Sequence, residues 1–194
     1  MQIMDDYSSL TTRLYEVIVD NNYKRILELG TKGGVSTCYL AEALDCIGGG
    51  EIVTLYLPQV KSLKPNVKDR FRKLNLSYKV RLKVLMNKSY TWELMKFLEK
   101  KVDKFDFCYI DGAHLWEVDG FSFFLVDKLL KPGGCIVFDD LNWRLAFSSC
   151  WKQTHHIGFK FTKQVRKVWE LLVKTHPDYH KFQEINGQGY AFKK

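Results

Sequence analysis

Two apolar runs that each end in carboxylate, one helix length apart, narrow sharply what this chain can fold into. The first is Phe105-Asp-Phe-Cys-Tyr-Ile-Asp-Gly-Ala-His114 and the second is Leu130-Lys-Pro-Gly-Gly-Cys-Ile-Val-Phe-Asp-Asp140. Between them, Val118 to Leu130 carries Phe121, Phe124, Leu125, Leu129 and Leu130 at helical spacing. A strand, a helix and a second strand make a parallel pair joined by a crossover. Both carboxylate ends then emerge on one sheet edge, the edge where open α/β sheets bind ligands. Asp111, Asp139 and Asp140 share that rim, a placement suited to holding a metal or moving a proton.

The same alternation runs through the rest of the chain. Leu10, Leu14, Val17 and Ile18 pattern a helix that ends near Asn21-Asn22. Strands are expected over Arg25–Leu29, Glu51–Leu57 (closed by Pro58), Val80–Leu85, Phe105–Ile110 and Cys135–Phe138. Helices are expected from Val35 to Leu44, within Lys61–Leu76, over Tyr90–Lys101 and Val118–Leu130, and over Thr162–Thr175. Lys131-Pro-Gly-Gly134 reads as a turn, and Phe182–Ile185 with Tyr190–Phe192 as a hairpin around Asn186-Gly-Gln-Gly189. The pattern predicts an α/β fold with a doubly wound seven-stranded sheet, mostly parallel, closed by a C-terminal antiparallel hairpin. The length of 194 residues fits one domain, an N-terminal helix over 1–22 and an α/β core over 23–194.

Composition excludes some classes of function. No run approaches the roughly 18 apolar residues a membrane helix needs. The start, Met1-Gln-Ile-Met-Asp-Asp, has neither the basic nor the apolar region of a signal peptide. The five cysteines show no CxxC spacing, so zinc is not expected. Reduced thiols and no membrane partner point to a cytoplasmic protein. The net charge of +8 is densest after Lys152. That density reads either as a surface for nucleic acid or an anionic substrate, or, more commonly, as a solvated helix face with a basic tail.

Glu28-Leu-Gly-Thr-Lys-Gly-Gly-Val-Ser-Thr37 follows a strand and opens a helix, the context in which glycine turns bind ligands. Gly30 permits the turn, while Gly33 and Gly34 would let a ligand approach the backbone. The N–H groups of the next helix would point at that ligand, with Ser36 or Thr37 as partners. Any strand-to-helix turn favours small residues, but a carboxylate such as Glu28 is poor packing material and favours the ligand reading.

Together the three motifs resemble those of class I S-adenosylmethionine-dependent methyltransferases. The likeness is strongest to the small-molecule O-methyltransferase branch and spans about Leu14 to Phe192. The resemblance implies a Rossmann-like fold and S-adenosylmethionine as cofactor. It would place Glu28, Gly30, Thr31 and Gly34 around the amino-acid end of the cofactor, with Ser36 of the following helix start a further cofactor contact, and Asp111, Gly112, Ala113 and His114 beside the reacting centre. In metal-dependent members the matching acidic positions bind Mg²⁺, here Asp111, Asp139 and Asp140. The implied chemistry is in-line methyl transfer to a hydroxyl of a small substrate. A cation among the aspartates would lower the hydroxyl pKa, and His114 or a nearby carboxylate such as Asp139 would take the proton. His114 is equally readable as a structural, hydrogen-bonded histidine, and Asp140 as a cap on the following loop. The aromatic loop Asn142–Trp151 and the N-terminal helix are expected to cover substrate. His155 and His156 in that region read as solvated loop residues.

Two positions depart from the family pattern. Strand two ends Leu55-Tyr-Leu-Pro58 with no acidic residue to grip the ribose, and Asn87-Lys88-Ser89 stands where an Asp-Ser-like pair is common. Unpaired ribose hydroxyls would weaken binding by about 1–3 kcal/mol unless Tyr56 or Asn87 compensates. The alternative reading is a non-catalytic or altered-cofactor binding protein on the same fold, binding nucleic acid through its basic C-terminal half.

Overall fold

The computed structural model describes residues 8–56, 64–76, 80–86, 89–148 and 156–194. Pro58, Lys61, Asn87, Lys88, Cys150, Trp151 and His155 lie outside the described residues. The chain runs α1 (Ser8–Asp20), β1 (Arg25–Leu29), α2 (Val35–Cys46), β2 (Gly50–Tyr56), α3 (Val67–Lys73), β3 (Val80–Met86) and α4 (Tyr90–Glu99). It continues with β4 (Phe105–Ile110), α5 (Trp116–Leu129), β5 (Leu130–Phe138), a 3₁₀ turn (Leu145–Phe147), α6 (Ile157–Phe161), α7 (Gln164–Val168), β6 (Tyr179–Ile185) and β7 (Gln188–Lys193).

The seven strands form one sheet in the order β3-β2-β1-β4-β5-β7-β6. The first five are parallel, and β7 runs antiparallel to β5 and β6. Central strands are apolar on both faces because helices cover both: Ile26, Leu27 and Leu29 of β1 and Phe107, Cys108 and Ile110 of β4 are all buried. One core packs beneath α4, α5 and α7, around Phe105, Phe123, Phe138 and Trp169. The other packs beneath α1, α2 and α3, around Leu14, Ile18, Leu40 and Phe71. Strand order steps outward from β1 toward β3 and resumes on the other side with β4, so the switch point lies between the tips of β1 and β4. Both edges are guarded by charge, with Arg81 and Lys83 exposed on β3 and Lys181 and Glu184 on β6.

Two elements differ from the sequence expectation. Lys131-Pro-Gly-Gly134 lies inside β5, not in a turn before it: Leu130 pairs with Phe105 and Cys135 with Phe107, so the stretch bulges out of the ladder. Asp106, the β4 residue opposite the bulge, accepts hydrogen bonds from Lys131 Nζ at 2.6 Å and from the Lys24 and Arg25 amides at 2.9 and 2.8 Å. The expected helix over Thr162–Thr175 begins as α7 at Gln164 and widens into a π-turn over Trp169–Val173. That turn seats the Trp169 ring against Gly189, with its Nε1 donating to Glu184 at 2.9 Å.

Gly30 decides how closely the two central strand tips approach. It has φ +107°, and a Cβ there would sit 1.8 Å from the Asp111 carbonyl oxygen. Gly30→Ala is expected to destabilise the protein by about 3 kcal/mol or more, through backbone strain and overpacking together. Urea denaturation checks this, and a loss below about 1 kcal/mol would contradict it.

Candidate active site

The β1 tip is organised around a buried carboxylate. Glu28 is wholly buried and accepts hydrogen bonds from Ser36 Oγ and Thr37 Oγ1 at 2.6 Å and from Thr54 Oγ1 at 2.5 Å. Burial pushes its carboxyl upward, the three hydroxyls pull it back down, and the charge of Asp111 raises it further. The hydroxyls of Thr31 and Thr54 are also hydrogen-bonded. Glu28 therefore shapes the turn from behind, while Gly30, Thr31, Lys32, Gly33 and Ser36 line the cleft. Gly34 serves packing instead of ligand access: it caps α2 at φ +80°, and a Cβ there would fall 2.6 Å from Val67 of α3.

At the β4 tip, the Asp111 amide donates to the Leu29 carbonyl at 2.9 Å and so ties the two tips together. The following Gly112-Ala113-His114 loop folds back with His114 at φ +59°. Asp119, only 2% exposed on α5, secures this loop by accepting from the Ala113 amide at 3.2 Å. Burial lifts the Asp119 carboxyl to about 6, against the opposing pull of His114 and the loop amides. Sequence reading missed Asp119, because an acidic residue in a helical pattern looks solvated. Its signal was its place in the first turn of α5, where the helix N-terminus favours negative charge.

The β5 tip supplies Asp139 and Asp140, which turn in different directions. The Asp139 carboxylate accepts from the Tyr109 hydroxyl, from Gln188 Nε2 at 3.2 Å and from the Asp140 amide at 2.8 Å. Tyr190 donates in turn to Gln188 Oε1 at 2.5 Å. Burial raises the Asp139 carboxyl, and the Asp111 charge adds to this. Asp140, at φ +54°, faces His114 across a 2.9 Å contact between Oδ2 and Nε2. Asp111 Oδ1 lies 3.3 Å from the same nitrogen. Burial alone would lower the His114 imidazole, but its hydrogen bonds to Asp111 and Asp140 and their charges lift it to about 10. At neutral pH it is therefore an imidazolium bridging two carboxylates, and its ring packs on Trp143 with centroids 4.8 Å apart.

These tips open into a cleft of about 1020 Å³. The structure brings Asp111, His114, Asp139, Asp140, Thr31, Ser36 and Tyr56 to its wall. Glu28, Gly34 and Ala113 stand behind that wall. Leu14 of α1 and Trp143 of the aromatic loop line it, as expected of covering elements. His156 instead caps α6, accepting from the Gly158 amide at 3.2 Å. Gln188 and Asn186 reach the cleft from the β6–β7 hairpin, which sequence reading treated only as the closing part of the sheet.

The donor set fits a divalent cation. Asp111, His114 and Asp140 each offer a ligand atom within 4.8 Å of the others, and Asp139 adjoins them with oxygens already hydrogen-bonded. Carboxylate oxygens are the donors Mg²⁺ prefers. The His114 imidazolium and a cation would compete for the same oxygens.

Two predictions follow from these contacts. With chelator present, the His114 ion pairs stabilise the fold fully below the unfolded histidine value near 6.5, and that stability is lost as pH rises toward 10. In His114→Gln the decline across this window should be shallower than in wild type, as read from urea midpoints at successive pH values. Asp119→Ala should cost about 1–3 kcal/mol by orphaning the buried loop amides, which the same measurement at fixed pH would show.

Comparison with known proteins places this geometry. The family model described as "Methyltransferase domain" matches residues 27–141. A search of curated proteins finds no match. Among solved structures, the O-methyltransferase from Bacillus cereus in complex with SAH superposes with a TM-score of 0.69 at 21% identity, covering 95% of this chain and 80% of that one. The O-methyltransferase TomG from Streptomyces achromogenes, in complex with SAM, gives 0.67 at 21% identity, covering 95% and 78%. The MycE methyltransferase of the mycinamycin pathway, in complex with Mg, SAH and mycinamycin VI, gives 0.63 at 16% identity, covering 98% of this chain and 51% of that one. With the family model spanning the glycine turn, the β4 loop and the paired aspartates of β5, the chain belongs to the methyltransferase-domain family.

Proposed function

We propose that this protein transfers the methyl group of S-adenosylmethionine to a hydroxyl oxygen of a small molecule, with Mg²⁺ held by Asp111 and Asp140 beside Asp139. The observation that carries the reading is the convergence of Asp111, Asp139 and Asp140, beside a ligand-type glycine turn, on one cleft. The relatives solved with SAM, SAH or Mg support it. The turn residues Thr31, Gly33 and Ser36 would cradle the amino-acid end of the cofactor, with Glu28 holding the turn from behind. Asp111 and His114 flank the reacting centre with Ala113 behind them, and Tyr56 stands at the ribose end.

The chain's own part is mainly positioning, because displacement at a sulfonium carbon needs the acceptor oxygen held in line. Bound Mg²⁺ would supply a Lewis acid that lowers the pKa of the acceptor hydroxyl. Asp139, held by Tyr109 and Gln188 and raised by burial, is the carboxylate best placed to receive the proton. Without a cation, His114 balances the charge of Asp111 and Asp140, whereas a cation taking those oxygens would free its imidazole to share in receiving the proton. Trp143 and Leu14 provide apolar walls for the acceptor.

A nucleic-acid-binding reading is not favoured, because many of the C-terminal cations are paired. Arg166 and Lys174 meet Glu184 at 3.0 and 2.8 Å, Lys193 meets Asp127 at 2.8 Å, and Lys167 meets Glu170 at 3.5 Å. Among the described residues no helix is long and apolar enough to cross a membrane. Cys38, Cys108 and Cys135 are buried free thiols, which supports a protein working in the cytoplasm.

Calorimetric titration with S-adenosylmethionine, followed by methyl-transfer assays on a panel of small hydroxylated acceptors, tests the proposal. Micromolar cofactor binding is expected. Asp111→Asn and Asp140→Asn should each lower transfer by roughly 10²-fold, and chelation should lower wild-type activity by a similar factor. No cofactor binding up to millimolar would overturn the reading, and full activity under chelation would remove Mg²⁺ from it.

A further inference from the structure

One mostly buried side chain lining the cleft carries a hydroxyl with no hydrogen-bond partner among the described residues. Tyr90 is the first residue of α4, immediately after the β3 connection, and is only 6% exposed. It belongs to the buried cluster that also holds Leu29, Leu55 and Ile110, and a Cβ on Gly112 would lie 3.5 Å from its ring edge. Tyr90 lines the cleft, yet no described residue hydrogen-bonds its hydroxyl. Burial raises this phenol well above its ordinary value, and Asp111, Asp119 and Glu28 push it higher, so it stays neutral and can both donate and accept. A tyrosine buried to this degree normally satisfies its hydroxyl. Because Tyr90 lines the cleft, a ligand bound there can supply that partner.

The chemistry of that partner follows from what the neighbouring strand lacks. β2 ends at Tyr56, which also lines the cleft, and contributes no carboxylate to it. A ribose diol needs partners for two vicinal hydroxyls, each of them both donor and acceptor, and neutral phenols match that requirement. We infer that Tyr90, together with Tyr56, binds a ribose hydroxyl in the nucleoside half of the cofactor and replaces the carboxylate grip that β2 does not supply. The inference rests on the cofactor reading above. It also carries a difference in selectivity. A carboxylate accepting from both hydroxyls demands the intact diol, whereas separate phenols engage the hydroxyls one at a time.

The test is a double-mutant cycle by calorimetry on the full chain. Wild type and Tyr90→Phe are each titrated with S-adenosylhomocysteine and with its 2′-deoxy and 3′-deoxy analogues. Phenylalanine keeps the ring against Gly112, so the fold is expected to persist, as thermal melts would check. The expected result is a roughly tenfold weaker Kd for S-adenosylhomocysteine in Tyr90→Phe, with the difference shrinking to within twofold for one of the deoxy analogues. Affinity unchanged within twofold in Tyr90→Phe would overturn the assignment and leave the proposed function standing. An equal loss for all three ligands would also overturn it, by placing the hydroxyl away from the ribose. Wild type failing to bind S-adenosylhomocysteine at all would overturn both. Should the variant fail to fold, wild type alone decides: if neither deoxy analogue binds more weakly than the parent, the ribose contact is refuted.

Discussion

A carboxylate buried at the end of the central strand must be held on every side or protonated, and in this protein the rest of the site depends on how Glu28 is held. Removing such a charge from water costs several kcal/mol, offset only where hydrogen bonds meet its oxygens. Ser36 and Thr37 come from the first turn of α2 and Thr54 from β2, so one carboxylate joins three segments. The glycine turn between β1 and α2 is consequently a fixed bracket. Its cleft-facing residues are aimed by contacts made on the opposite side.

The second constraint is the crowding of like charge that the topology enforces. Parallel β4 and β5 deliver Asp111, Asp139 and Asp140 to one rim, where carboxylates raise one another unless a cation intervenes. The fold divides the difficulty. Asp139 turns toward neutral donors, the Tyr109 hydroxyl and the Gln188 amide. Asp111 and Asp140 turn toward His114, whose imidazolium neutralises part of the charge. Left-handed backbone at His114 and Asp140 is the local cost of that arrangement. The strain sits at the cleft, where a metal and an acceptor would bind.

Features set by local pattern were readable in the sequence. β1 and β4 have the boundaries their apolar runs indicate, and the doubly wound order follows from the alternation of strands and helices. The aspartates of the rim were readable for the same reason, since they directly follow the apolar runs of β4 and β5. What was not readable depends on contacts distant in sequence. Asp119 looks like an ordinary surface acid until the loop before α5 is seen folding back on it. Gly34 looks like a ligand-binding glycine until α3 is packed against it. Lys131 to Gly134 looks like a turn, because only the pairing of Leu130 with Phe105 reveals a ladder on both sides of the bulge. Gln188 acquires a role only once β7 lies antiparallel beside β5 and brings its amide to Asp139, 49 positions away.

That last pairing sets an order of assembly. A chain emerging from its N-terminus has its glycine turn, Asp111 and both β5 aspartates long before it has Gln188 and Tyr190. Until β7 inserts between β5 and β6, Asp139 has only Tyr109 and a backbone amide as partners, and the Trp169 ring has no Gly189 to rest on. Nascent chains that present the cofactor turn would thus have an unfinished carboxylate rim, with one flank of β5 open as an unpaired edge. The strand that completes the sheet is also the one that arms the site, so cleft and fold reach their final form in a single step.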